Sequence, residues 1–183
     1  MSHHRTEVEL QTGLDLIKQS PKDQGTLELI VIRPKENERT VLIDAQLSSR
    51  LGVYGDDWFK NSYIRLPDGS PHPDVQVSLM NSRCIDLLSQ EKSRWPLAGD
   101  QLYVDLDLSV DNLPVGQQLS IGSVILQVTD QEHTGCNKFA KRYGQAARIF
   151  VNSAVGKQLH LRGIYAKVIR DGSLKVGDWV IKI

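Results

Sequence analysis

The stretch that decides the fold is Gln118-Leu119-Ser120-Ile121-Gly122-Ser123-Val124-Ile125-Leu126-Gln127-Val128-Thr129. Two runs rich in aliphatic residues flank a turn that contains glycine, which is the pattern of a β-hairpin. Further runs of this kind, each bounded by polar residues, glycine or proline, predict short strands. They are residues 27–32, 41–43, 75–79, 102–108, 161–169 and 176–183. In all, the sequence predicts roughly seven or eight strands.

The fold class follows from how these strands are connected. Roughly two or three short helices separate them, but strands and helices do not alternate behind a glycine-rich phosphate loop, which argues against a nucleotide-binding α/β fold. The edges of short strands must be covered, and closing the sheet on itself covers them. We therefore predict a mainly β (α+β) domain, a β-barrel with a few short helices.

The N-terminal segment predicts an additional helix. Thr6 and Glu9 have the spacing of a capping box. The apolar residues that follow fall on one helical face: Leu10, Leu14 and Ile17. Residues 1–26 are therefore interpreted as an amphipathic helix with its connection and residues 27–183 as a single barrel domain, against which we expect the helix to pack.

The charge balance restricts the expected partners. The chain of 183 residues has 22 Lys and Arg and 22 Asp and Glu, so its formal net charge is zero. Nucleic acids and anionic membranes attract proteins with an excess of positive charge, and we expect neither as a partner. The sequence also lacks the roughly 18 consecutive apolar residues of a membrane span and an apolar signal core near residue 1, which predicts a cytoplasmic location.

Cys136 is the residue on which the functional predictions depend. It lies between a strand and a predicted helix, in the loop Asp130-Gln131-Glu132-His133-Thr134-Gly135-Cys136-Asn137-Lys138-Phe139. Free backbone N–H groups at the first turn of a helix lower the pKa of a thiol, and Lys138, Arg142 and His133 add positive charge nearby. Because a thiolate is both a nucleophile and a ligand for soft metals, this context predicts persulfide chemistry or metal ligation. An inert, buried cysteine is the alternative.

Other residues that carry chemistry are less distinctive. Cys84 lies within a predicted helix and is interpreted as a packing residue, and nothing secretory supports a disulfide. Two interpretations stay open for His133: it orients or protonates a group beside the thiol, or it is a solvated loop residue. Asp105 and Asp107 alternate on a predicted strand and should face solvent or a wet cleft, and His160 is predicted to face outward from a strand.

Several segments, taken in order, carry a family resemblance. They are Gly52-Val53-Tyr54-Gly55-Asp56-Asp57-Trp58, residues 104–116, residues 119–122, residues 128–139 with His133-Thr134-Gly135-Cys136, and residues 161–166 and 172–178. Together they resemble the MOSC domain, a family named for the C-terminal domain of molybdenum-cofactor sulfurase. The resemblance spans roughly residues 27–183 and depends on the order of the segments and on the cysteine that follows a strand.

The resemblance implies a β-barrel whose Cys136 ligates molybdenum or carries sulfur, with a molybdenum cofactor (Mo-pterin) as the bound group. If the cofactor binds at Cys136, the residues that we expect to bind it are Cys136, Thr134, Asn112, Lys138, Arg142 and Arg162. Cys136, His133 and Asp105 are the implied catalytic residues. Pyridoxal phosphate, with which the family is also associated, is not expected, because the chain has neither a desulfurase domain nor a convincing Schiff-base lysine site.

Three functions stay open at this point. The first is a molybdenum-dependent reductase of N-hydroxylated compounds, and the second is a carrier that delivers sulfur or a metal–sulfur unit from Cys136 to a partner protein. The third is a scaffold whose thiol is structural. The implied protein partner is a sulfur donor or a redox protein, whereas the substrate and the oligomeric state are not predicted. Reductase-type members tend to have an Arg-Pro-Asn run where this chain has Tyr103-Val104-Asp105, so Lys138, Arg142 and Arg162 enter only as electrostatic substitutes.

Overall fold

A closed β-barrel forms the centre of the structure, a computed structural model that describes residues 4–183. The strands are β1 (Gln24–Ile32), β2 (Thr40–Leu42), β3 (Asp44–Ser48), β4 (Gly52–Val53), β5 (Val77–Asn81), β6 (Leu102–Asp105), β7 (Gln118–Ile121), β8 (Val124–Val128), β9 (Ile164–Arg170), β10 (Gly172–Lys175) and β11 (Trp179–Lys182). Around the barrel the order is β1, β11, β7, β8, β9, β5, β6, and the pairing of β1 with β11 closes the ring. The predicted β-barrel and the hairpin β7–β8 are confirmed.

The barrel closes because β1 is long and bends. Its first residues pair with β11, its central residues with β6 and its last residues with β2. The register with β6 shifts between Leu27 and Leu29, which marks a bulge. Gly25 lies two residues before this bulge, at the corner where β1 bends from β11 toward β6. A Cβ at Gly25 would be 1.8 Å from the carbonyl oxygen of Asp105. The corner therefore requires a residue without a side chain.

Helices cover one side of the barrel. They are α1 (Glu7–Lys18), α2 (Trp58–Asn61), α3 (Ser82–Ser89), α4 (Asn137–Tyr143), α5 (Gln145–Asn152) and α6 (Ala154–Gln158), with 3₁₀ helices at Pro73–Val75 and Lys92–Ala98. The protein has two hydrophobic cores, one inside the barrel and one between the barrel and the helices. Successive residues of a strand point to opposite faces, so in β6 Leu102 and Val104 point into the barrel, whereas Tyr103 packs among the helices. Within residues 4–183, no helix combines the length and the apolar character needed to cross a membrane.

Helix α1 packs against α3 and α5 of its own chain, as the sequence predicts. The capping box is present, with the Glu9 carboxylate accepting a 2.7 Å hydrogen bond from the backbone N–H of Thr6. The apolar face contributes Leu10, Leu14 and Ile17 to the helical core. Because β1 begins at Gln24, the last residues of the predicted 1–26 segment belong to the barrel. Residues 1–3 of that segment lie outside the described part of the chain.

Several strand predictions are wrong at their ends, among them residues 75–79, where β5 begins only at Val77, and residues 102–108. Strand β6 stops at Asp105, because the Asp107 carboxylate accepts a hydrogen bond from the N–H of Ser109 (2.9 Å) and turns the chain. His160 lies in a turn before β9, with a left-handed φ of 47°. Its Nδ1 is 2.7 Å from the carbonyl oxygen of Leu108. The alternation of apolar and polar residues around His160 therefore reflects a packed turn rather than a strand.

Candidate functional site

Cys136 is exposed and occupies the N-cap position of α4, immediately after the loop that follows β8. The loop is fixed by one side chain of α5. Asn152 accepts a hydrogen bond from the N–H of Gly135 (2.8 Å) and donates one to the carbonyl oxygen of the same residue (2.9 Å). Because both bonds engage the residue next to Cys136, they position its thiol at the surface.

Opposing effects set the pKa of the Cys136 thiol. Partial burial raises the pKa, but the backbone N–H groups of Phe139 and Lys138 and the positive charge of Arg162 lower it, and the net direction is downward. These N–H groups act on Sγ without a full capping hydrogen bond. The thiolate is thus favoured at this position, as the sequence predicts from the start of a helix.

A buried ion pair lies beneath α4. Arg162 donates to the fully buried Asp100 carboxylate at 2.7 Å and to the carbonyl oxygen of Ala98 at 3.0 Å. Its guanidinium carbon lies 5.0 Å from the centre of the Phe139 ring in α4. Burial works against the charge of Arg162, but Asp100 together with Tyr165 and Tyr103 outweighs burial, and the pKa of the guanidinium is raised. Arg162 therefore stays charged where it acts on Cys136.

His133 also lies beside Asp100. Its Nδ1 lies 3.6 Å from Asp100 Oδ1, and its ring stacks on Tyr165 with a centroid distance of 4.3 Å. Burial, and then the charge of Arg162, hold the pKa of His133 well below its usual range, so the ring is neutral and the contact with Asp100 is not an ion pair. Within residues 4–183, Asp100 Oδ1, His133 Nδ1 and Arg162 Nε are buried without a hydrogen-bond partner.

A cleft of about 310 Å³ opens beside His133. Most of its exposed wall area is apolar, but polar and charged residues also line it: Thr129, Asp130, Gln131, Glu132, His133, Lys157, His160 and Arg162. Cys136 is not among the lining residues. His133 therefore lies close to Cys136 in sequence and also faces a cavity of the size that small molecules occupy.

The other predicted site residues divide into two groups. Thr134 and Lys138 are exposed near Cys136, and Lys138 forms a 2.8 Å ion pair with Glu36. Arg142, at the far end of α4, is half-buried and donates to the carbonyl oxygen of Leu97 at 2.6 Å. These residues share α4 or its preceding loop with Cys136.

Asp105 and Asn112 have partners elsewhere. Asp105 forms a bidentate pair with Arg83 of α3, at 2.7 and 3.1 Å. Asn112 donates to the carbonyl oxygens of Lys22 (2.9 Å) and Asp107 (2.7 Å) and accepts from Lys182 (2.9 Å). Their hydrogen bonds join other segments, and none of these bonds within residues 4–183 reaches the loop 130–139.

Sequence reasoning missed the role of two buried carboxylates. Asp100 carries no motif signal, since it is recognised only by its contacts with Arg162 and His133. Asp56 belongs to the Gly-Asp loop noted in the sequence, and its buried carboxylate accepts from Arg33 Nε (3.0 Å) and Nη2 (2.8 Å). That loop therefore anchors β1 in this chain.

Comparisons with known proteins agree on the fold. The family model of the MOSC domain matches residues 67–181. The crystal structure of the YuaD protein from Bacillus subtilis superposes with a TM-score of 0.62 at 18% identity, covering 86% of this chain and 94% of that one. YiiM from Escherichia coli gives a TM-score of 0.55 at 18% identity, with 86% and 69% covered. No functionally curated protein matches the chain.

Proposed function

Because the chain belongs to the MOSC domain family, we propose that it binds a molybdenum cofactor through the Cys136 thiolate. The observation that carries this proposal is an exposed thiol at the start of α4 whose pKa is lowered. Metals bind the deprotonated sulfur, so a lowered pKa favours ligation at neutral pH. Cys136 offers one ligand atom, which suits a metal that arrives with other ligands, as a pterin-bound molybdenum does.

The residues around Cys136 support this role. Asn152 holds the preceding Gly135 by two hydrogen bonds, so the position of the thiol is fixed before any ligand binds. Arg162 supplies a buried positive charge that favours the anionic sulfur. Bound molybdenum supplies redox chemistry. The neutral His133 lines the adjacent cleft, where its ring can orient a substrate or exchange a proton with it.

Reduction of an N-hydroxylated compound is the reaction that we propose for the loaded protein. The cleft beside His133 has the volume for a small substrate of this kind, and its lining combines apolar walls with the charged residues Asp130, Glu132, Lys157 and Arg162. The two free cysteines fit a reducing compartment, and we propose the cytoplasm. We do not assign Asp105 and Asn112 to the site, because their hydrogen bonds are made elsewhere.

A second candidate function is supported by the exposure of Cys136. A sulfur carrier needs a thiol that a partner protein can reach, and Cys136 is on the surface. In this case the Cys136 thiolate attacks the outer sulfur of a donor persulfide. A new S–S bond forms, the donor leaves as its thiolate, and Cys136 becomes a persulfide for delivery.

Metal analysis distinguishes the two functions. Protein purified from a host that makes the cofactor should contain molybdenum at near one atom per chain, and Cys136→Ser should abolish it. Cys84→Ser is the matched control, because Cys84 is fully buried, and it should retain the metal. If the wild type contains no molybdenum, the first proposal fails. A Cys136 persulfide, detected by mass spectrometry after incubation with a desulfurase, would then favour the carrier.

A further inference from the structure

Arginine side chains converge on the carboxyl end of the 3₁₀ helix Lys92–Ala98 and on Gly99, which follows it. Consecutive carbonyl oxygens accept from them: Leu97 from Arg142 (2.6 Å), Ala98 from Arg162 (3.0 Å) and Gly99 from Arg33 (3.1 Å). The carboxyl end of a helix attracts positive charge, which accounts for these contacts.

Two arginines near this end of the helix have no carboxylate partner in the described part of the chain. Arg33 is paired with Asp56 and Arg162 with Asp100. Within residues 4–183, neither of the two remaining arginines, Arg39 and Arg142, forms an ion pair with a carboxylate. Arg39 instead donates to the carbonyl oxygen of its neighbour Glu38, at 2.5 Å.

The two unpaired arginines approach each other over Gly99. Arg39 Nη2 and Arg142 Nη1 lie 3.5 and 4.0 Å from the point that a Cβ of Gly99 would occupy. Gly99 has a φ of +91°, and because it has no side chain, the space between the two guanidinium groups is not filled at this position. Both side chains are half-buried, and Arg39 Nε is buried without a hydrogen-bond partner in the described part of the chain. Burial, and then the charges of Arg142 and Arg33, lower the pKa of Arg39.

From this geometry we propose that Arg39 and Arg142 form a binding site for a phosphate-type oxyanion above Gly99. Guanidinium groups match the oxygens of phosphate through paired charge-assisted hydrogen bonds. Such an anion neutralises the charges of Arg39 and Arg142. Its oxygens also offer acceptors to N–H groups without a partner, such as Arg39 Nε. Arg142 is already oriented by Leu97, and the Lys138–Glu36 ion pair joins α4 to the loop that carries Arg39. The site is thus largely formed before the anion binds.

The site lies away from the thiol along α4. Arg142 follows Cys136 by about 9 Å of helix, given a rise of 1.5 Å per residue. The phosphate group has two sources: free inorganic phosphate, or the phosphate of a larger ligand that also reaches Cys136. The proposal holds for either source and does not depend on what Cys136 binds.

Calorimetric titration with inorganic phosphate, at constant ionic strength in chloride, tests the site on protein without molybdenum. The wild type should bind phosphate, and Arg39→Gln and Arg142→Gln should each weaken binding by about tenfold or more. Arg39→Lys keeps the charge but loses the planar fork, and should bind between the wild type and Arg39→Gln. Arg170→Gln is the matched control, since Arg170 is exposed and, within residues 4–183, its side chain donates only to the carbonyl oxygen of Ser123. It should bind as the wild type does.

Phosphate binding that is absent in the wild type, or unchanged in both glutamine variants, overturns the proposal. Circular dichroism of each variant checks that it is folded. If a variant is unfolded, a second measurement replaces the comparison between variants. The wild type should broaden the ³¹P line of inorganic phosphate, and sulfate should reverse the broadening. A line that is not broadened overturns the proposal. Phenyl phosphate distinguishes the sources: tighter binding than inorganic phosphate supports a larger ligand at this site, and weaker binding supports the free anion.

Discussion

The two cysteines occupy the starts of two different helices, and their environments are opposite. Cys84, in the first turn of α3, is fully buried, whereas Cys136, at the start of α4, is exposed. The charge of Arg162 lowers the pKa of both thiols, yet burial raises the pKa of Cys84 to about 12 while that of Cys136 is lowered. Depth in the fold, more than the nearest charge, therefore decides which thiol ionises.

Capping reinforces the difference. In α3 the side chain of Asn81 accepts the N–H of Cys84 at 3.0 Å, and Cys84 Sγ donates to the carbonyl oxygen of Leu161 at 3.1 Å. In α4 no other side chain caps the helix, and the N–H groups of Lys138 and Phe139 act on Cys136 itself. The start of α4, unlike that of α3, therefore has N–H groups that can stabilise a thiolate.

The largest expected effect is in alkylation. In the native protein iodoacetamide should modify Cys136 at least ~100-fold faster than Cys84, because Cys84 is buried and protonated. Peptide mass spectrometry over time measures both rates, and denaturant should make them similar. Comparable labelling of both cysteines in the folded protein would show that the two environments do not differ as described.

Removal of the Arg162 charge, which lowers the pKa of both thiols, should strongly destabilise the fold. Arg162→Met leaves Asp100 buried without its ion pair, which should lower the free energy of unfolding by about 3–5 kcal/mol in urea titrations. The pKa of Cys136 should rise in the same variant. Lys138→Met removes only an exposed pair with Glu36 and should cost about 0–1 kcal/mol. Equal losses in the two variants would contradict a structural role for the buried pair.

Cys84 should also affect stability at high pH. A thiol whose pKa is raised by folding favours the native state below the pKa of the unfolded chain, and this contribution is lost as pH rises toward the folded value. Between about pH 9 and 12 the Cys84 contribution should therefore fall by up to about 4 kcal/mol. Urea titrations at several pH values should give a shallower decline for Cys84→Ala. Parallel declines for variant and wild type would refute a raised Cys84 pKa.

A smaller effect is expected from the residue that fixes the Cys136 loop. Asn152→Ala removes both hydrogen bonds to Gly135 and should cost about 1–3 kcal/mol of unfolding free energy. The alkylation rate of Cys136 should change with it, while that of Cys84 should not. Asn61→Ala, at the end of the short helix α2, serves as the control. A Cys136 rate identical to that of the wild type would show that the loop holds its position without Asn152.

Local patterns in the sequence predict a large part of this structure. The β7–β8 hairpin, the capped helix α1 and the position of Cys136 at a helix start all depend on residues that are close in the chain. The Asp100–Arg162 pair joins residues 62 positions apart, so no local pattern indicates it. Strand alternation predicts only that Asp105 faces solvent or a wet cleft, and Arg83, which binds its carboxylate, comes from another element. Tertiary contacts decide these roles, and the sequence pattern does not contain them.

The measurement that tests the central claim most directly is the pKa of the Cys136 thiol. Thiolate absorbance of the Cys84→Ala variant, followed against pH in the folded and the urea-unfolded states, reports Cys136 alone. The account predicts a folded pKa below that of the unfolded chain, which should be near the free value of about 8.5. A folded value equal to or above the unfolded one would contradict the account, because both proposed functions require a stabilised thiolate.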